Sequence, residues 1–140
     1  MPITNFPFLS VRNDSFFRPM LLIKITNPDT GKSFNTVGQI DTGADECAIP
    51  AGIADLLGHK LKDGNKKDIR TGNGITQFYT HKTTFEIFDI SGKKLVLTIK
   101  DTPVDYGENL STVLLGVNNF LSNFVLTIDY PKQNFSIKHK

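Results

Sequence analysis

Cysteine is almost absent: Cys47 is the single one in 140 residues. No intrachain disulfide is available, so the fold has to stand on packing alone, which suits a reducing compartment and makes the cytoplasm the expected location. Long apolar runs are scarce as well. The N-terminal region has no basic segment followed by an apolar stretch, and its longest unbroken apolar run, Met20 to Ile23, is far short of the ~18 residues a membrane span requires. A soluble chain without a targeting peptide, making no membrane contact, is the expectation. Excess charge of one sign is also missing. The formal net charge is +2 and the basic residues are spread along the chain, which argues against a nucleic-acid partner. What the composition does hold is 39% hydrophobic residues, enough for the core of one domain and too little chain for two.

Residues 1–19 carry Pro2, Pro7 and Pro19 among scattered aromatics, a composition for an irregular arm or an edge strand. Residues 20–140 read as the folded domain. Met20 to Thr26 is apolar and β-branched, Asn27 to Gly31 supplies turn chemistry, and Ser33 to Ile40 returns as a second strand. Ala51 to Leu57 predicts a short helix with Ile53, Leu56 and Leu57 on one face and Gly58 as its stop. Strands are expected at Thr76 to Thr80, Thr84 to Ile90 and Lys94 to Ile99. A polar stretch follows Pro103, then Val113-Leu114-Leu115-Gly116, a helical segment over Asn118 to Asn123, and strands at Phe124 to Tyr130 and Asn134 to Lys138. The pattern predicts a mainly antiparallel β domain with two small helices. Val113 to Gly116 faintly echoes Gln39 to Gly43, each an apolar strand running into glycine ahead of a short helix.

The sharpest feature is Ile40-Asp41-Thr42-Gly43-Ala44-Asp45, an apolar strand end that delivers an acid into a tight turn. Hydrolysis by paired carboxylates needs such an acid at the bottom of a cleft, next to a second one arriving from elsewhere. The two share a proton and hold a water: one takes a proton from it while the other protonates the carbonyl under attack. Threonine offers a hydroxyl that locks the loop, and glycine permits the turn and the close approach of a substrate backbone.

In this context the chain resembles the retropepsin-like aspartic proteases. The likeness rests on Gln39 to Pro50, on the glycine-bearing segment Thr71 to Phe78, and on Val113 to Phe124. It implies a closed β-barrel with one or two short helices, acting as a homodimer on a peptide or protein substrate without cofactor or metal. It implies Asp41 as the catalytic acid, Thr42 as the loop-locking hydroxyl and Gly43 beside the scissile bond. Ala44 and Asp45 match positions that contact substrate backbone. Residues 71–78 match the flap, with Gly72, Asn73 and Gly74 at its tip and Ile75 and Phe78 as candidates to line the cleft. Leu114, Leu115 and Gly116 match the segment that supports the catalytic loop. With one Asp-Thr-Gly in the chain, the second acid has to come from another copy across a two-fold axis, and the resemblance gives Asn134 to Lys138 a subunit-bridging role. Val117 departs from the pattern, since many relatives carry a basic residue there to pair with the second acid. That departure keeps open a second reading, a dimeric peptide-binding scaffold that retains the fold without useful turnover.

Rival signals are weaker. Thr30 to Ser33 spells the end of a phosphate-binding loop, but the earlier glycine is missing and no helix pattern follows. His59, His81 and His139 are far apart in sequence and read as solvated or satisfied side chains. Cys47 reads as a core thiol. Asp101 and Asp105 read as solvated loop acids, and Phe85, Phe88, Phe120 and Phe124 as core.

Overall fold

The computed structural model describes residues 2–10, 16–72 and 74–139. In chain order the strands are β1 (Ile3–Pro7), β2 (Met20–Thr26), β3 (Ser33–Ile40), β4 (Ala48–Pro50), β5 (Asn65–Thr71), β6 (Gly74–Phe88), β7 (Leu95–Gly107), β8 (Val113–Leu115), β9 (Phe124–Asp129) and β10 (Asn134–His139). Helix α1 (Ala51–Leu56) follows β4, and single 3-10 turns occupy Leu61–Asp63 and Leu121–Asn123.

Period-two alternation makes β2: Leu21, Ile23 and Ile25 are buried while Leu22, Lys24 and Thr26 are half-buried, as in a strand with one face on a core. β3 returns antiparallel, with Met20 opposite Gln39 and Thr26 opposite Ser33. Asn27 fixes the turn between them. Its Oδ1 accepts the Asp29 N–H at 2.9 Å and its Nδ2 donates to Leu57 O at 2.9 Å, while Gly31 takes a left-handed φ of 75°. Thr30 to Ser33 is therefore a hairpin turn feeding a strand.

Six strands close a barrel in the order β2, β3, β8, β4, β7, β6 and back to β2. The echo in the sequence has a spatial meaning, because β3 and β8 lie side by side in parallel, Gly38 opposite Val113 and Ile40 opposite Leu115. Among the described residues β5 pairs with β6 alone, Asn65 opposite Thr80 and Thr71 opposite Gly74, and forms an arm outside the ring. Its sequence, Asn-Lys-Lys-Asp-Ile-Arg-Thr, hides the strand from a hydrophobic-pattern reading because an arm of this kind does not have to bury a face. The two strands expected within residues 76–90 are one strand, β6, irregular between Thr83 and Phe85. β7 likewise runs on through the polar stretch to Gly107, because its last residues are paired on one side with β6 and on the other with β4. Residues 117–120 are turns, and only Leu121–Asn123 winds further, so the helix expected over Asn118 to Asn123 is a single 3-10 turn. Leu56, assigned from spacing to the buried face of α1, is exposed; Ala54 and Leu57 carry that packing.

A second sheet, β1-β10-β9, packs on the barrel through one shared core. Within the small sheet Phe6 of β1 lies opposite Phe135 of β10, 5.2 Å between ring centres, and Phe85 of the barrel meets Phe120 edge-on at 5.4 Å. β1 is an edge strand, one of the two forms expected of the N-terminal arm. β10 lies in the middle with both edges paired inside the chain. Among the described residues the outer edges of this sheet belong to β1 and β9.

Phe85 is fully buried where the barrel meets the turn at Phe120. Phe85→Ala is expected to lower unfolding free energy by ~3–5 kcal/mol, the cost of an aromatic cavity, read from the urea midpoint.

Candidate active site

β3 ends at buried Ile40, and the chain then turns sharply. Asp41 N–H donates to Leu115 O at 3.1 Å, which ties the acid's backbone to the neighbouring parallel strand. Gly43 N–H donates to the Asp41 carboxylate at Oδ1, 3.1 Å away, and Ala44 N–H closes the turn on Asp41 O at 3.2 Å. One carboxylate oxygen is thus oriented by the turn the acid begins. Thr42 sits exposed at the apex.

The stretch after β8 braces the stretch after Asp41. Val117 N–H donates to Ala44 O at 2.9 Å, Asn118 N–H to Asp45 O at 2.8 Å, and Asn118 Nδ2 to Glu46 Oε1 at 2.9 Å. Gly116 makes this approach possible: a Cβ there would meet Glu46 O at 2.4 Å and Ala44 O at 2.8 Å. Gly43 is different. Its φ is not left-handed, and a Cβ would meet only Asp41 Oδ1 at an ordinary 3.5 Å. The glycine at 43 is not demanded by its own chain; the space it leaves faces the cleft.

That cleft, about 610 Å³, begins at residues 43–46 and is closed across by residues 67–70 of β5 together with Phe78. Ala44, Asp45, Phe78 and Leu114, all singled out from the sequence, border it. Leu115 and Gly116 lie behind the loop as its support. Gly72 and Gly74 are exposed at the end of the β5–β6 hairpin, and Asn73 lies outside the described residues. Ile75 does not reach the cleft. It is 64% exposed and borders a separate groove with Lys62 and Glu108.

Asp105, read from the sequence as solvated, is 2% exposed and borders the cleft. The signal was present in Val104-Asp105-Tyr106-Gly107, an acid inside an apolar run ending in glycine, but it takes the pairing with β4 and β6 to bury that run on both sides. Asp101 is exposed, at a φ of 51°. Lys67, Glu46 and Asn118 also belong to the cleft or its frame without having been singled out.

Among solved structures the chain is similar to a retropepsin-like aspartic protease from Rickettsia conorii, with a TM-score of 0.55 and 22% identity, covering 84% of this chain and 95% of that one. It is also similar to the EIAV protease complexed with the inhibitor HBY-793, with a TM-score of 0.50 and 19% identity, over 76% of this chain and 88% of that one. The fold is retropepsin-like. No protein-family model and no curated protein matches the sequence.

Two features of this retropepsin-like barrel lie behind the cleft. Cys47 is buried with its sulfur accepting the Gly116 N–H at 3.3 Å; burial pushes its thiol up to about 12, against the lowering effect of that hydrogen bond. It packs as a core thiol. Two of the three histidines come together: the His59 and His81 rings lie 4.5 Å apart, both against Tyr106. His59 lies within 3.2 Å of Asn27 Nδ2. Desolvation, then repulsion from His81, pulls His59 below its ordinary 6.5, with Asp29 opposing.

Two outcomes are expected. Gly116→Ala has to displace the backbone of residues 44–46, so it is expected to cost ~1–3 kcal/mol of stability and to alter amide chemical shifts across 41–46 more than elsewhere. Because folded His59 takes up a proton less readily than in the unfolded chain, its contribution to stability is complete above its ordinary 6.5 and declines as the pH falls below it. Thermal melts between about pH 7 and about pH 5 should therefore show a shallower acid loss in His59→Gln than in the parent.

Proposed function

We infer that the chain is one subunit of a homodimeric aspartic endopeptidase. The observation that carries this reading is the Asp41 turn: an acid at the end of a barrel strand, tied to β8, with its carboxylate oriented by Gly43 and an open cleft beginning two residues on. A barrel with one such turn supplies half of a two-acid site. A second copy related by a two-fold axis supplies the other Asp41, with Thr42, exposed beside it, placed to lock the paired loops.

Two carboxylates that close share one proton. The ionised one takes a proton from the water held between them, the water oxygen bonds to the peptide carbon, and the carbonyl oxygen receives the other acid's proton. Collapse of the tetrahedral diol breaks the C–N bond: the departing nitrogen takes a proton from one acid while a diol hydroxyl gives its proton to the other, which restores the singly protonated pair. The β5–β6 hairpin serves as the flap, closing over an extended peptide and excluding water. The two solved structures named above are aspartic proteases, which supports the hydrolytic class.

One observation favours the scaffold reading. Val117 offers only its N–H to the loop and no charge to Asp45, which is exposed, so a polar support of the site is weaker here. The test combines a peptide-library cleavage screen with sedimentation. Asp41→Asn is expected to lower cleavage by ~10²–10⁴-fold, the range for removing a positioned acid–base group, with dimerisation and chelator resistance unchanged. Specific activity of the parent should drop on dilution as dimers dissociate. A parent that binds peptides but cuts none between acidic and neutral pH is a scaffold.

A further inference from the structure

Asp105 is a carboxylate in a buried position that still borders a cleft. Val104 and Tyr106 beside it are core residues. Its Oδ1 accepts from the Thr80 hydroxyl at 3.1 Å. Its Oδ2 has the Lys67 ammonium 3.0 Å away but no hydrogen-bond donor aligned on it. A buried carboxylate oxygen is costly unless a charged donor satisfies it, and here the charge comes from a side chain 41% exposed, on the arm strand paired with β6. The bordering charges reinforce this: Asp45, Glu46, Asp68 and Asp105 stand against Lys67 and Arg70, in a chain whose net charge is +2.

We propose that Asp105 forms the floor of a side-chain subsite that takes a cationic or amide-bearing residue of an extended peptide, whose donor replaces the Lys67 ammonium on Oδ2. This rests on the cleft being a peptide site, as inferred above. Arginine suits it best, because its planar fork of donors engages Oδ2 while Oδ1 keeps Thr80. A leucine at the same place leaves Oδ2 with its misaligned ammonium and gains no charge-assisted bond. Lys67 is then a resident competitor that a matching substrate displaces, and a glutamate in the substrate is rejected by like charge.

The experiment measures binding in the Asp41→Asn background by fluorescence polarisation, so its outcome does not depend on cleavage. Labelled peptides carry Arg, Gln, Leu or Glu at each position in turn. One position is expected to favour Arg over Leu by about tenfold or more, with Gln between them and Glu weakest. Asp105→Asn, which keeps the shape and removes the charge, should erase the preference. Lys67→Met, which removes the resident competitor at Oδ2, should enlarge it in chains shown to be folded by circular dichroism. Absence of any Arg-preferring position, an unchanged preference in Asp105→Asn, or no peptide binding at all overturns the proposal. A preference weakened equally by Lys67→Met and Asp105→Asn does so too, since it makes the pair a mere latch between hairpin and barrel. If the parent cleaves nothing while the Asp41→Asn chain binds with the Arg preference, the hydrolytic reading falls and the subsite stands.

Discussion

The backbone of residues 116–118 lies against that of residues 44–46 closely enough that one methyl group at Gly116 would overlap two carbonyls. That contact joins the two halves of the barrel. On one side it ends β8, whose Leu115 carbonyl holds Asp41; on the other it frames the first residues of the cleft through Val117, Asn118 and the Asn118 amide on Glu46. Cys47 completes it from inside, its sulfur taking the Gly116 N–H. The acid's position is therefore a property of two strands distant in sequence, and the short turn 41–44 only has to complete what they set.

Much of this could be read from the residues. β2 and β3 announce themselves by alternation and by Asn27 to Gly31, and the paired motifs at Asp41 and Gly116 mark the site's floor and its brace. Where pairing overrides pattern, the reading fails. β5 is a strand made of charge, legible only once β6 is beside it. β7 is called early because Asp101 and Pro103 look like loop, yet ladders on both edges carry the strand to Gly107. Asp105 follows from that error: a residue assigned to a loop is assigned to water. The histidines fail for a related reason, since residues 22 apart in sequence, His59 and His81, are brought into ring contact by the return of β6 past the end of α1.

In the retropepsin-like arrangement, backbone geometry and local chemistry separate. Nothing about closing the barrel requires a carboxylate at 105, which strand alternation sets on the face opposite Val104 and Tyr106, bordering the cleft. That carboxylate, next to the cleft and matched by Lys67 on the β5 arm, is what the proposed recognition role rests on.

Closure of the ring removes the exposed ladders that make β proteins stick to one another, since each of the six barrel strands has neighbours within the ring. β5 escapes that protection, and its composition compensates: Lys66, Lys67, Asp68 and Arg70 crowd a seven-residue strand. A border so loaded with ammonium, carboxylate and guanidinium groups opposes pairing with the flat, apolar segments that nucleate fibrils. The hairpin can therefore remain outside the ring, within reach of an extended chain, without recruiting copies of itself.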